Sequence, residues 1–184
     1  MTSFGGIRLL TAPGEVMTPR PATLALVDVA AERLGARPAR VADVGTGSGA
    51  IAVALALRAP QAEIWATDTS PAATALARAN VSRHGLGDRV SVRHADLLDG
   101  VPGELDLVVA NLPYLSDTLR AERPELAGEP PEAVFASGDG LHHYRRLVDV
   151  CARKLRPDGA LAIQLHRRVH LAGAADLEQL NLAA

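Results

Sequence analysis

Seven residues, Asp43-Val44-Gly45-Thr46-Gly47-Ser48-Gly49, combine one carboxylate, two hydroxyls and three alternate glycines. Glycines so spaced bend a chain through angles closed to other residues and leave main-chain amides bare for a ligand. Three more polar residues follow at the ends of apolar runs: Asp68, Asp96 and Asn111. A carboxylate about one crossover beyond a glycine turn suits a bidentate hold on ribose hydroxyls. Asp96 can accept from an exocyclic amine. Asn111-Leu112-Pro113-Tyr114 joins a planar amide, a free carbonyl, a rigid proline and a ring. Such a loop can take two hydrogen bonds from an NH2 group and lay an aromatic face on its π-plane. Aspartate and asparagine also favour loops and caps, and any one of the four alone reads that way. All four, each in the register of its own strand, favour a ligand crevice.

The elements that carry these residues alternate. Phe4 to Val16 reads as a small hairpin turning through Ala12-Pro13-Gly14, and Thr18-Pro19-Arg20-Pro21 as stiff extended chain. A helix is expected from about Ala22 to Leu34, with Leu24, Val27, Ala31 and Leu34 on one face and Gly35 as its stop. Strands are expected at Val41–Val44, Glu63–Thr67, Val90–His94, Leu105–Ala110 and Ala160–Leu165. Helices lie between them: from Ala50 to about Ala59, from Pro71 to His84 behind a Ser70 cap, and from Leu141 to Leu155. This is the pattern of an α/β fold, a Rossmann-like, doubly wound and mostly parallel sheet covered on both faces. Ligands bind such sheets beyond the carboxyl ends of the strands.

Composition narrows the class. The 184 residues suit one domain: residues 1–21 as hairpin and Pro-Arg-Pro segment, 22–165 as core, 166–184 as a helical tail. With 19 Lys+Arg against 21 Asp+Glu and 3% aromatics, neither a basic grip on nucleic acid nor a base-stacking array is expected. The single cysteine, Cys151, fits a reducing compartment and core packing. No apolar run is long enough to span a bilayer, so a cytoplasmic protein without membrane partners is expected. His166 and His170 have the spacing of a zinc pair but no carboxylate between them, and no metal is expected. His142-His143 reads as solvated helix start, Trp65 as core, and Arg120 and Arg123 as solvated loop that could face a substrate.

The glycine turn alone does not choose a reaction. Gly45-x-Gly47-x-x-Ala50 also fits the loose dinucleotide fingerprint of NAD(P)-linked oxidoreductases. The Asn111–Tyr114 loop separates the two readings, because hydride transfer has no use for it. With Met17-Thr-Pro-Arg-Pro-Ala-Thr23, Glu129-Pro130, Gly138-Asp-Gly-Leu141, Tyr144-Arg145 and Pro157-Asp-Gly159 added in order, the chain resembles the class I S-adenosylmethionine methyltransferases. Within them it is similar to the HemK (PrmC) family of release-factor glutamine N5-methyltransferases, from Phe4 to Leu165. The resemblance implies S-adenosyl-L-methionine as cofactor. Asp43, Gly45, Thr46, Gly47, Ser48 and Gly49 would form the cradle of its methionine end, Asp68 would hold the ribose, and Asp96 with Leu97 the adenine. Asn111 would border the cofactor too, and with the Leu112 carbonyl would take the acceptor amide, with Pro113 shaping the loop and Tyr114 stacked nearby. A release-factor-like protein is the implied partner.

Three departures from that family stand out. Leucine occupies position 112, where the family usually has proline. Asn-Leu-Pro-Tyr is the form of rRNA adenine N6-dimethyltransferases, which makes a nucleobase amine the second acceptor class. The family's N-terminal helical domain has no counterpart before the hairpin. Gln164 stands where the fifth strand commonly ends in glutamate, and His166 to Leu182 reads as a helix in place of the last antiparallel strands. The third expectation is therefore a shortened cofactor-binding paralogue with little activity.

Overall fold

The structure, a computed structural model, describes residues 1–165. The chain opens with a hairpin, β1 (Thr2–Phe4) against β2 (Ile7–Leu9). The turn is at Gly5-Gly6, both with positive φ, and not at Ala12-Pro13-Gly14 as the sequence led us to expect. Two successive left-handed residues are what the tightest hairpin turn requires, and Gly-Gly supplies them at no steric cost. Residues 12–16 form a separate turn, with the Glu15 and Val16 amides donating to the Ala12 carbonyl. A 3-10 turn at Pro21–Thr23 then leads into α1 (Leu24–Leu34), which Gly35 stops at φ 58°.

From here the alternation follows the expected order. It runs β3 (Ala39–Val44), α2 (Ala50–Arg58), β4 (Ala62–Asp68), α3 (Pro71–Arg83), β5 (Val90–His94) and β6 (Leu105–Ala110). After it come the two-residue β7 (Leu115–Ser116), the single-turn α4 (Pro131–Val134), β8 (Phe135–Ala136), α5 (His142–Lys154) and β9 (Leu155–Ile163). Ser70 caps α3 through its hydroxyl, which accepts from the Ala73 amide at 3.2 Å. The β7–β8 pair was not foreseen, because two residues carry no periodicity.

Five strands make one parallel sheet in the order β5-β4-β3-β6-β9. The α/β, doubly wound architecture expected from the sequence is thus observed. Side chains alternate faces along each strand. Val41, Leu107 and Val109 pack under α1 and α2, while Ala42, Val44 and Val108 pack under Tyr144, Leu147 and Cys151 of α5. Trp65 is core as expected, with the Arg40 guanidinium over its ring. β9 starts five residues earlier than expected. Leu105 pairs with Leu155 but Leu107 with Ala160, so the residues around Pro157-Asp158-Gly159 are carried as a bulge. The expected helix at His166–Leu182, the expected loss of the last strands, and the His166–His170 pair lie outside the described residues.

Strand order reverses at β3: the chain goes on to β4 on one side and returns as β6 on the other. That switch point opens a crevice at the carboxyl ends of the two strands. The opposite ends are pinned by Asp106 on β6, whose buried carboxylate accepts from the Arg40 amide at 2.7 Å, Arg156 at 2.7 Å and Arg37 at 3.3 Å. Burial pushes this carboxyl up, but the Arg40 amide and the Arg156 and Arg37 guanidinium groups outweigh it and hold it below the usual range. Asp106→Ala is expected to cost about 1–3 kcal/mol, the penalty for stranding a buried donor. The gap from wild type should be full above the ordinary aspartate range and shrink as pH falls through the lowered folded value. Urea denaturation of both chains at neutral and acid pH checks it.

Candidate active site

The glycine turn is built from beneath. Asp43, at the end of β3, is wholly buried; its Oδ2 accepts from the Thr46 hydroxyl at 2.6 Å and the Ala52 amide at 3.1 Å. The carboxylate therefore closes the turn and caps the first turn of α2 at once. Gly49, at φ 79°, starts that helix, and a Cβ there would stand 3.2 Å from Ala77 of α3. Asn80, also wholly buried, ties the turn to the hairpin: it donates to the Ser48 and Leu10 carbonyls and accepts from the Leu10 amide.

Above the turn lies a cavity of about 510 Å3, within the usual size of small-molecule sites, about 300–1,000 Å3. Gly45, Gly47, Asp68, Asp96, Leu97, Asn111, Leu112 and Pro113 line it, so the residues predicted from four separate strand ends meet in one place. Asp43, Thr46, Ser48 and Gly49 are not part of that lining. Placed in the cradle on sequence grounds, they lie buried under it, because their polar groups and close packing are used in shaping the turn. Asp68 accepts from the Gly47 amide at 2.8 Å and the Ser70 amide at 2.9 Å. One carboxylate so fixes the turn to the next strand end, and each oxygen retains a second lone pair. Leu97 carries a left-handed backbone at φ 49°, rare for a branched residue, and its carbonyl takes the Thr67 hydroxyl at 2.7 Å. Asp96 is paired with Arg146 of α5.

A second cavity, of about 190 Å3, lies beyond the same loop. It shares Met17, Asn111, Leu112, Pro113 and Ala133 with the first and adds Arg20, Thr23, Tyr114, Arg123 and Gln164. Tyr114 faces this smaller space only. Asn111 Nδ2 donates to the Thr23 hydroxyl at 3.2 Å, which orients the amide. Gln164 Oε1 is buried there without a partner among the described residues. The floor is steadied by Glu129, which accepts from the Thr18 amide at 3.0 Å and from Arg20 at 3.3 Å. The arrangement offers two chambers with a wall of hydrogen-bond acceptors between them.

Thr23, Arg146 and Tyr144 were missed as site residues on sequence grounds, since each acts across a long chain separation. His143, read as solvated helix start, borders the larger cavity, where burial, then His142 and Arg146, lower its proton affinity. Arg123, read as solvated loop, borders the smaller cavity. Among the described residues no cluster of three or more His, Cys, Asp or Glu could hold a metal, and no helix is long and apolar enough to cross a membrane.

Burial pushes the Asp43 carboxyl up to about 7, against the pull of its Thr46 and Ala52 bonds and with a small push from the Asp68 charge. A folded value above the unfolded one means that the folded chain binds this proton more tightly, so stability from this group is lost as pH rises toward 7. Asp43→Asn removes the charge and keeps an acceptor for Thr46 and Ala52. Its melting temperature relative to wild type is expected to climb from pH 5 to pH 8, then level off. Parallel curves would show that the charge is not buried at a cost.

Comparison with known proteins agrees with this geometry. A release factor glutamine methyltransferase of Deinococcus radiodurans is 43% identical over 176 residues, 95% of this chain and 62% of that protein. Its counterpart from Gloeobacter violaceus is 42% identical over 154 residues, covering 82% of this chain and 54% of its own. The chain thus spans little more than half the length of the curated relatives it matches. A crystal structure of ribosomal protein L11 methylase from Lactobacillus delbrueckii subsp. bulgaricus superposes with a TM-score of 0.60 at 27% identity, covering 85% of this chain and 65% of that one. The model of the methyltransferase small domain matches residues 21–124, more than half of the sequence, and the chain belongs to that family.

Proposed function

We propose that the chain is the catalytic part of an S-adenosylmethionine-dependent N-methyltransferase whose acceptor is a glutamine side-chain amide of a release-factor-like protein, working in the cytoplasm. The observation that carries this is the pair of cavities sharing the Asn111–Pro113 wall. A group-transfer enzyme needs donor and acceptor on two sides of one reacting point, and this loop stands between two such spaces. The similarity to release factor glutamine methyltransferases supports the same reading.

The larger cavity fits the cofactor. Position 47 carries no side chain and, among the described residues, only Val16 comes near it, at 3.9 Å from where a Cβ would be, so the main chain is open to a ligand. Asp68 supplies lone pairs for ribose hydroxyls, and Ala95 to Leu97 supply a polar and an apolar wall for a base. When bound, S-adenosylmethionine supplies a methyl group made electrophilic by its sulfonium sulfur.

The remaining work falls to the chain. An amide nitrogen is a weak nucleophile because its lone pair is delocalised into the carbonyl. Asn111 Oδ1 and the Leu112 carbonyl accept its two N–H bonds, which aims the nitrogen at the donor side and stabilises positive charge as it develops. Thr23 keeps the Asn111 oxygen, rather than its NH2, turned toward the acceptor. The Tyr114 ring covers the amide plane from the smaller cavity. Asn111 cannot act as a base, so rate comes from placement and from these fixed dipoles, and the N–H proton that the methyl group replaces would pass to water.

Incubating the chain with methyl-labelled cofactor and either a release factor or ribosomal RNA tests the acceptor class. Label on a release-factor glutamine is expected. Label on adenine would move the acceptor to a nucleobase, and no cofactor binding at high micromolar concentration would leave a shortened paralogue without this activity. Asn111→Ala is expected to lower turnover at least ~100-fold, the scale of losing one transition-state donor or acceptor, with cofactor affinity within about threefold of wild type. Undiminished turnover in that variant would refute the assignment.

A further inference from the structure

Leu112 places a main-chain N–H inside the protein at the centre of the proposed acceptor loop, where its residue is only 7% exposed. A buried donor needs a partner, and this one finds it 32 residues away, in the Tyr144 hydroxyl at 2.9 Å. Tyr144 sits on α5 and is wholly buried. Its oxygen stands 2.8 Å from the Gln164 carbonyl and 3.1 Å from the Leu112 carbonyl. A phenol has one proton to give and can accept as well. With the Leu112 amide donating to it, it gives its own proton along the shorter path, to Gln164. The Leu112 carbonyl, at 3.1 Å, keeps at least one lone pair free.

From this geometry we infer that Tyr144 is a positioning residue for methyl transfer: its hydroxyl grips the Leu112 N–H and so fixes the angle at which Asn111 and the Leu112 carbonyl meet the acceptor. The inference rests on the reading of that loop as the acceptor site. Its argument is local. A leucine leaves φ free at position 112, where a proline would lock it, so the loop needs a bond to hold its conformation. The phenol supplies that bond and fastens it to the end of β9, which borders the smaller cavity through Gln164. Burial also raises this phenol's pKa, so the proton stays on the oxygen across the working pH range.

The test is a double-mutant cycle on the full chain: wild type, Tyr144→Phe, Leu112→Pro and the pair. Proline at 112 has no N–H to strand. Tyr144→Phe alone is expected to lower the folded-to-unfolded ratio about 10-fold or more in urea titrations, the scale of a buried donor left without its partner. In the Leu112→Pro chain the same change is expected to cost several-fold less. An equal cost in both backgrounds overturns the grip on Leu112. Should Leu112→Pro fail to fold, amide exchange decides: protection at Leu112 falls about 10-fold in Tyr144→Phe if the grip is real, and unchanged protection overturns it. The kinetic arm separates positioning from mere support. Tyr144→Phe is expected to lower kcat on a release factor about 10-fold or more, with acceptor KM and cofactor affinity within about threefold. Equal losses in kcat and cofactor affinity overturn the positioning role. Because the urea and exchange readings use no acceptor, a chain that shows the coupling but methylates nothing overturns the glutamine reading and leaves the Tyr144–Leu112 contact established.

Discussion

The site depends on a contact between two strand ends. Gly45 ends the rise of β3, and Leu112 follows β6, its parallel neighbour. A Cβ on residue 45 would lie 2.5 Å from Leu112 Cδ2, and Gly45 already takes φ 69°, where L side chains are strained. The glycine therefore does two things at once. It turns the chain and leaves room for the Leu112 side chain against the turn. A side chain at 45 would have to displace the tip of Leu112 and hold a left-handed backbone, a strain on the order of 1–3 kcal/mol.

Charge placement around that contact follows a consistent division. Asp43 and Asp68 belong to adjacent strands and both bind the turn, yet only Asp68 reaches the cavity. Asp43 holds from the dry side, where its proton affinity rises toward neutrality. Asp68 holds from the wet side and keeps capacity for hydroxyl groups. Asp106 works at the far end of the sheet, where three strands are fastened well away from the chemistry. The carboxylates are thus sorted by depth, and depth decides which of them can meet a ligand.

The sequence discloses what local chemistry dictates. Strand and helix periods place β3 to β6 and α2, α3 and α5 within a residue or two, and Ser70-Pro71 announces its helix start. The four polar strand ends are legible for the same reason: a parallel sheet brings all its carboxyl ends to one edge. What stays hidden is anything a side chain does across long separations. Thr23 reaches Asn111 across 88 residues, Asp96 meets Arg146 across 50, and Tyr144 meets Leu112 across 32. Nothing in a period or a cap reports such pairs. The hairpin was misplaced because Pro13-Gly14 is a strong turn signal, but Gly5-Gly6 comes first and closes a tighter one.

On the reading proposed above, the smaller cavity takes the acceptor, and unpaired lone pairs select its ligand class. Asn111 spends its NH2 on Thr23, which leaves its oxygen. The Leu112 carbonyl stands beside a phenol whose shorter path leads to Gln164. Gln164 Oε1 is buried without a partner among the described residues. Three acceptor atoms are thus left over around the smaller cavity, beside the guanidinium groups of Arg20 and Arg123. An unpaired buried acceptor costs free energy until a donor arrives, so the cavity discriminates in favour of ligands that bring N–H bonds. A primary amide brings two, whereas a hydroxyl or a secondary amide brings one and leaves one more acceptor unmet. On the proposed reading the same unevenness would favour departure of the product, since a methylated amide has traded one of its two N–H bonds for a methyl group.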